Sequence, residues 1–227
     1  MERGLYIAAS GMLAEQARQD LISHDLANAS TPGYKADRTT TASFSALLLN
    51  DASSGQPIGA LGLGARIETQ VTDLTPGPLR ETGEPLDFAV EGEGFFAVRG
   101  ANGVRYTRDG QFQVSARGGL VTTNGDEVLG ASGQPIRVGA DGTVAASEIG
   151  VTRLDGAKRA GGNLFTGTAR GASAAPARAG ALENSAVDAV TTMADMLGSL
   201  RAFEAGQRVI TTIDTTLAKA ATQVGST

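Results

Sequence analysis

From residue 185 to residue 224 the chain places apolar side chains at alternating steps of three and four: Ala186, Ala189, Met193, Met196, Leu200, Phe203, Ile210, Leu217, Ala221 and Val224. Only Gln207 and Asp214 break the series. That spacing is the seam of a coiled-coil helix. Ser185, three residues ahead of Asp188, supplies a capping-box-like start that would satisfy orphan backbone donors. At 1.5 Å per residue such a helix spans roughly 60 Å, too far to bury its stripe against one compact domain. It calls for a long helical partner. A second series, Ala194, Gly198, Ala202 and Gly206, recurs every four residues and predicts a shallow ridge where another helix backbone comes close. The prediction has weight because each interior glycine costs about 1 kcal/mol relative to alanine. Gln207 and Asp214 either fix register and partner number or face water, and the spacing leaves both readings open.

Residues 4–29 read as the partner helix. Leu5, Ala8, Met12, Ile22 and Leu26 form one stripe, widened by Ala9, Leu13 and Ala27 and interrupted by Glu15 and Gln19. Gly11, beside Ser10 and two alanines, predicts a second close approach. The run Asn28-Ala29-Ser30-Thr31-Pro32-Gly33 then stops the helix with turn formers and a proline. Beyond it, Thr39-Thr40-Thr41 favours extended chain, 44–49 a short apolar helix or strand, and 51–64 a flexible loop.

Between residues 66 and 171 the period shortens towards two. Strands are predicted at 66–72, 86–90, 95–98, 105–108, 112–115, 120–123, 128–129, 136–138, 143–146 and 150–154. Turn signals such as Ala101-Asn102-Gly103, Asp109-Gly110, Asn124-Gly125, Ser132-Gly133 and Asp141-Gly142 separate them. Short strands so often punctuated predict an antiparallel β domain, a small sandwich or open barrel. Residues 171–178 read as a low-complexity return linker. The expected fold is therefore α+β: long N- and C-terminal helices pairing as a coiled-coil core, with an inserted antiparallel all-β domain. Its parts are an N-terminal helix and turn (1–34), an extended linker (35–80), the β domain (81–172), a return linker (173–184) and a C-terminal helix (185–227).

Composition narrows the function. Of 227 residues 41% are hydrophobic but only 4% aromatic, with no Trp, so small residues must do much of the packing. A net charge of −5 without a basic cluster argues against nucleic acid. The absence of Cys and the single histidine, His24, exclude a disulfide scaffold and speak against zinc or thiol chemistry. The first residues lack a cationic segment followed by an apolar core, so no cleavable signal peptide is expected. No run of about 18 apolar residues exists, so no membrane insertion is expected either. Glu81, Glu84, Asp87, Glu91 and Glu93 could in principle supply a glycosidase pair. They fit a solvated face better, because the aromatic platforms of a glycan cleft are missing. Asp141-Gly142 and Asn124-Gly125-Asp126 read as hairpin turns rather than calcium loops, and Arg108 and Asp109 as ordinary turn residues. His24 reads as a surface or interface residue near a helix end. No catalytic residue, metal, cofactor or small-molecule substrate is expected.

Motif blocks at three places carry a family resemblance. Ser10-Gly11-Met12 and the run from Asp20 through His24-Asp25 and Asn28 to Gly33-Tyr34-Lys35 resemble the N-terminal signature of bacterial flagellar axial proteins, the rod and hook proteins. Family members commonly carry a pair of asparagines where this chain has His24-Asp25. Gly62-Leu63-Gly64, Thr75-Pro76-Gly77-Pro78-Leu79, Thr82-Gly83-Glu84-Pro85-Leu86-Asp87, Gly92-Glu93-Gly94-Phe95-Phe96 and Tyr106-Thr107-Arg108-Asp109-Gly110 resemble the block that opens the family's β domain. Gly180-Ala181-Leu182-Glu183-Asn184-Ser185 and Arg201 to Ile210 resemble its C-terminal signature of loop, cap and long helix.

The resemblance implies a rod subunit at the flagellar basal body, exported by the flagellar export apparatus without a cleavable signal. It implies terminal helices that fold on docking and form the inner tube, with self-association and other rod or hook subunits as partners. The assembly contacts would then be Leu5, Gly11, Met12, Leu13, Ile22, Leu26 and Asn28 from the first helix region. The second would contribute Met193, Met196, Gly198, Leu200, Phe203, Gly206, Gln207, Ile210 and Leu217. The modest length favours rod over hook protein. A more distant alternative is a glycan-binding or glycan-cleaving β domain on an oligomerising coiled coil.

Overall fold

A computed structural model describes residues 2–43, 47–50, 57–61, 64–139, 141–173 and 175–224. Two long helices, α1 (Glu2–Ala27) and α2 (Ala189–Val224), bracket a strand-rich middle, so the fold is α+β with an inserted antiparallel β domain. The chain divides into two compact units. A helical unit comprises Met1–Leu26, Asp37–Val71 and Ala189–Thr227, and a β unit comprises Ala27–Ala36 and Thr72–Asp188.

In the helical unit α1 and α2 run antiparallel: Gly4 lies against Ile213, Met12 against Gly206 and Glu15 against Ser199. In the same unit β1 (Asp37–Ser43) and β4 (Ala65–Thr72) pair, and β2 (Leu47–Asn50) pairs antiparallel with β3 (Pro57–Leu61). Thr39, Thr40 and Thr41 are extended, as their β-branching favours. The stretch 51–64 is not wholly a loop, since β3 forms inside it against the apolar Leu47-Leu48-Leu49. Of the segment 44–49, residues 44–46 lie outside the described residues.

In the β unit the main sheet has seven strands: β7 (Phe95–Gly100), β8 (Gly103–Thr107), β9 (Phe112–Val114), β10 (Leu120–Thr122), β11 (Glu127–Leu129), β12 (Val151–Gly161) and β13 (Leu164–Ala172). Their order is β12-β13-β8-β7-β11-β10-β9. One edge of β7 meets β8, with Val98 opposite Arg105. Its other edge is shared, Phe96 facing Val151 of β12 and Val98 facing Val128 of β11. This double use folds the sheet over a core of Phe88, Val90, Phe96, Val98, Phe112, Leu120, Val128, Ile136, Val144, Ile149 and Val151. Phe96 and Phe112 pack edge to face at 5.3 Å. Gly94 has φ +147°, and a Cβ there would lie 2.5 Å from Val151, so only glycine admits this bend ahead of Phe95 and Phe96.

Two predicted strands are absent. Residues 136–138 and 143–146 reach the core through single backbone bonds, Leu120 N to Ile136 O at 2.9 Å and Ile136 N to Val128 O at 3.1 Å, and through a short 3₁₀ turn at Ala146–Glu148. Their alternating side chains reflect inward Ile136 and Val144 without a ladder. Conversely, the 171–178 linker contains β14 (Ala177–Ala179), paired with β6 (Phe88–Val90). Directly after it, β15 (Ala181–Glu183) pairs with β5 (Leu79–Glu81).

Helix α2 starts at Ala189, so Ser185 is not its cap. Residues 181–186 are held extended, with Ala186 N bonded to Tyr34 O at 2.9 Å. The Ser185 hydroxyl donates to Asn28 O at 3.0 Å and accepts from Val187 N at 3.2 Å. The helix begins beyond those bonds.

Candidate assembly interface

Along α2 the described side chains that are shielded at all are Ala189, Thr192, Met196, Ser199, Phe203, Gly206, Ile210 and Ile213. They step by three and four without a break. The seam exists, but alternate members sit one residue earlier than the apolar series placed them. Met196, Phe203 and Ile210 are half-buried as expected, while Thr192, Ser199, Gly206 and Ile213 replace Met193, Leu200, Gln207 and Asp214.

Close approach explains the displacement. A Cβ on Gly206 would lie 2.7 Å from Met12 Cγ. The Ser199 hydroxyl, buried at 3% exposure, donates to the Glu15 carboxylate at 2.6 Å. Small residues let α1 in, and the bulkier neighbours are turned away. Gln207 and Asp214 are accordingly exposed, on the side of α2 turned away from α1.

The turned-away side chains are apolar. Met193 is 52% exposed and Leu200 42%, beside exposed Val190, Leu197 and Leu217; on α1 Leu13 is 67% exposed, with Leu5, Tyr6 and Ile7 also bare. Ile22, Leu26 and Asn28 are half-buried, and Asn28 Oδ1 accepts from Thr31 Oγ1. Among the candidate glycines Gly206 meets α1, whereas Gly11 and Gly198 have open space where a Cβ would stand. Gly4, Ile7, Gly11, Ala202 and Val209 line an apolar groove of about 460 Å³ along the helix pair. Further along α2, Thr211, Thr212, Thr216 and Thr222 each turn the hydroxyl back to the carbonyl four residues earlier, at 2.7–3.1 Å. His24 is exposed in the last turn of α1.

The β unit holds a second arrangement, in which Arg108 proves to be no ordinary turn residue. Its guanidinium is buried, with Nη1 3.1 Å from Glu183 Oε2 and its plane over the Phe95 ring at 5.1 Å. Glu183 Oε1 accepts from Lys35 Nζ at 2.5 Å and from Gly77 N at 2.6 Å, and Lys35 also donates to Thr75 O at 2.6 Å. Two cations thus share one carboxylate, all three side chains being 1% exposed. Burial pulls both Lys35 and Arg108 below their ordinary pKa, against the pull of Glu183. Gly33 completes the contact: at φ +65° its N donates to Glu183 O at 2.8 Å, and a Cβ would lie 2.3 Å from Arg108 O. Arg159 caps the site over the Tyr34 ring at 4.7 Å and donates to Lys35 O. The only hint in the chain was that Lys35, Arg108 and Glu183 all fall inside the motif blocks.

Of the carboxylates weighed for glycan chemistry, Glu81, Glu84, Glu91 and Glu93 are exposed, and Asp87 is buried at 8% exposure. Glu81 and Glu91 flank Arg178, and Glu93 meets Arg153 at 2.7 Å. Among the described residues no helix is long and apolar enough to cross a membrane.

Three family models match in chain order: flagella basal body rod protein at residues 5–35, the D1 domain of the flagellar hook proteins FlgE/F/G at 89–152, and the C-terminal region of the flagellar basal body rod proteins FlgEFG at 178–223. Each match supplies one member of the buried charge cluster. The chain belongs to the flagellar rod and hook protein family, and so to the structural proteins of the flagellar basal body. It is 30% identical to the flagellar basal-body rod protein FlgG of Bacillus subtilis, over 94% of this chain and 96% of that one. It is 34% identical to the rod protein FlgF of Salmonella typhimurium, over 94% and 95%. The flagellar hook-basal body complex protein FlhO of Bacillus subtilis is 31% identical over 99% of both chains.

Proposed function

We propose that the chain polymerises through α1 and α2 into the shaft of the basal-body rod, transmits torque mechanically and catalyses nothing. The observation that carries this is the row of large apolar side chains left bare on both helices, notably Tyr6, Leu13, Met193, Leu197 and Leu200. Covering each would contribute roughly 1.5–3 kcal/mol, and exposed apolar strips of this kind mark interaction surfaces. Sister copies and other rod or hook subunits are the partners that fit. A head-to-tail contact of this sort propagates as a helical filament. The unbroken three-four seam of α2 supports coiled-coil pairing with α1, and a chain sent out through the flagellar export apparatus would complete that pairing on docking. In this reading residues 1–34 and 185–227 build the shaft, 81–172 form the displayed β domain, and 35–80 with 173–184 connect them, β14 and β15 being the part of the connection laid onto the β unit.

The test is the pair Met193→Glu with Leu200→Glu. Both side chains are exposed, so the purified variant should fold with stability within about 0.5 kcal/mol of the parent. It should fail to enter basal bodies, and cells carrying it should not swim. Normal swimming with intact rods would end the proposal. Electron microscopy of a strain lacking the chain separates rod from hook: a rod subunit leaves no complete rod, a hook subunit leaves a rod without its hook.

A further inference from the structure

We infer that residues 177–188 are a strap that closes the β unit last, with Glu183 as its keystone. The inference stands whether or not the helices polymerise. All seven strands of the main sheet lie within residues 95–172, so that sheet can form before the strap arrives. By contrast, among the described residues β5 and β6 have only β15 and β14 as strand partners. Four further backbone bonds to the strap gather distant parts of the unit: Gly33 N to Glu183 O, Thr82 N to Gly180 O, Asn184 N to Pro78 O and Ala186 N to Tyr34 O, all between 2.8 and 3.0 Å.

The charges set the order. Without Glu183, closing the pocket would bury Lys35 and Arg108 as two cations with no carboxylate to share, and would leave the Gly77 amide without its acceptor. A buried cation without its partner is strongly disfavoured, so that pocket stays open and wet. A chain emerging N-terminus first therefore keeps residues 33–35 and 75–79 unlocked until residue 183 is present. Closure comes immediately before α2, and it pins the lead-in of α2 to Asn28 and Tyr34, the residues that follow α1. The strap thus acts as a checkpoint: α2 is presented only from a β unit already locked.

Hydrogen exchange on the full chain tests this. During refolding, pulse labelling should show the amides of Gly33, Gly77, Thr82, Asn184 and Ala186 gaining protection together, after those of β7, β8 and β11. In the native state E183Q should speed exchange of the strap set by roughly a hundredfold to a thousandfold, the effect expected when a buried ion pair is broken, while the sheet amides change far less. Protection of the strap set with or before the sheet would overturn the inference, as would equal acceleration of both sets in E183Q. Should E183Q not fold at all, the order of protection in the parent chain decides alone.

Discussion

Phe88, Phe96, Val98, Val128 and Phe165 of the β unit have no exposed surface, whereas the described side chains of α2 include one buried residue, Ser199, and those of α1 one, Ala14. Both regions carry enough apolar residues to make a core, and they place them differently. The β unit folds its sheet around them and seals even three charges inside. The helices use their smallest residues against each other and turn the larger ones out. The first region is finished within one chain. The second leaves large apolar side chains exposed.

That contrast can be broken most sharply at Phe96. Phe96→Ala should destabilise the β unit by about 3–5 kcal/mol, the cost of a cavity at a packed aromatic. Urea unfolding followed on the β unit should show it, with helix content in α1 and α2 little changed. Simultaneous loss of both would mean the two regions fold as one. Smaller effects separate two glycines of α2. Gly198→Ala should stabilise the purified chain by roughly 0.5–1 kcal/mol, since nothing occupies the space and alanine favours helix. Gly206→Ala should forfeit that gain, because its Cβ would press on Met12. Thermal unfolding of the two variants decides. A loss at Gly198 would show the outer face already occupied in the isolated protein.

The smallest expected effect is a slope. Burial holds the Asp109 carboxyl above its ordinary value of 3.8, helped by Asp87 and opposed by the Gln111 amide. The folded chain therefore keeps this proton to higher pH than the unfolded one. The stability tied to it is present below 3.8 and lost as pH rises through the folded pKa. Asp109→Asn retains an acceptor for Gln111 and carries no charge. Its stability relative to the parent should rise with pH across that window and then level off, and a flat difference would mean that Asp109 sits in water.

The amphipathic ends and the strands β7 to β11 were legible because their periods are strong and their turns are marked by glycine. The seam of α2 was read one position off at alternate steps. Leu200 and Ser199 are both available at the right spacing, and hydrophobicity favours the leucine where backbone proximity selects the serine. Gly206 gave the true signal, since a helix glycine has to be explained by what approaches it. The hairpin of β12 and β13 and the strap strands were hidden by Ala, Gly and Arg, whose bulk comes from the strands opposite. The charge cluster was least visible. Lys35 and Glu183 are separated by 148 positions, and each looks like a surface charge beside a turn.

The threonines of α2 carry a mechanical consequence. With their hydroxyls spent on the helix's own carbonyls, Thr211, Thr212, Thr215, Thr216 and Thr222 offer a neighbour methyl groups and no directional donor. A helix laid against that coat would meet methyl groups alone, and could slide slightly along its axis and settle again without a bond to rupture.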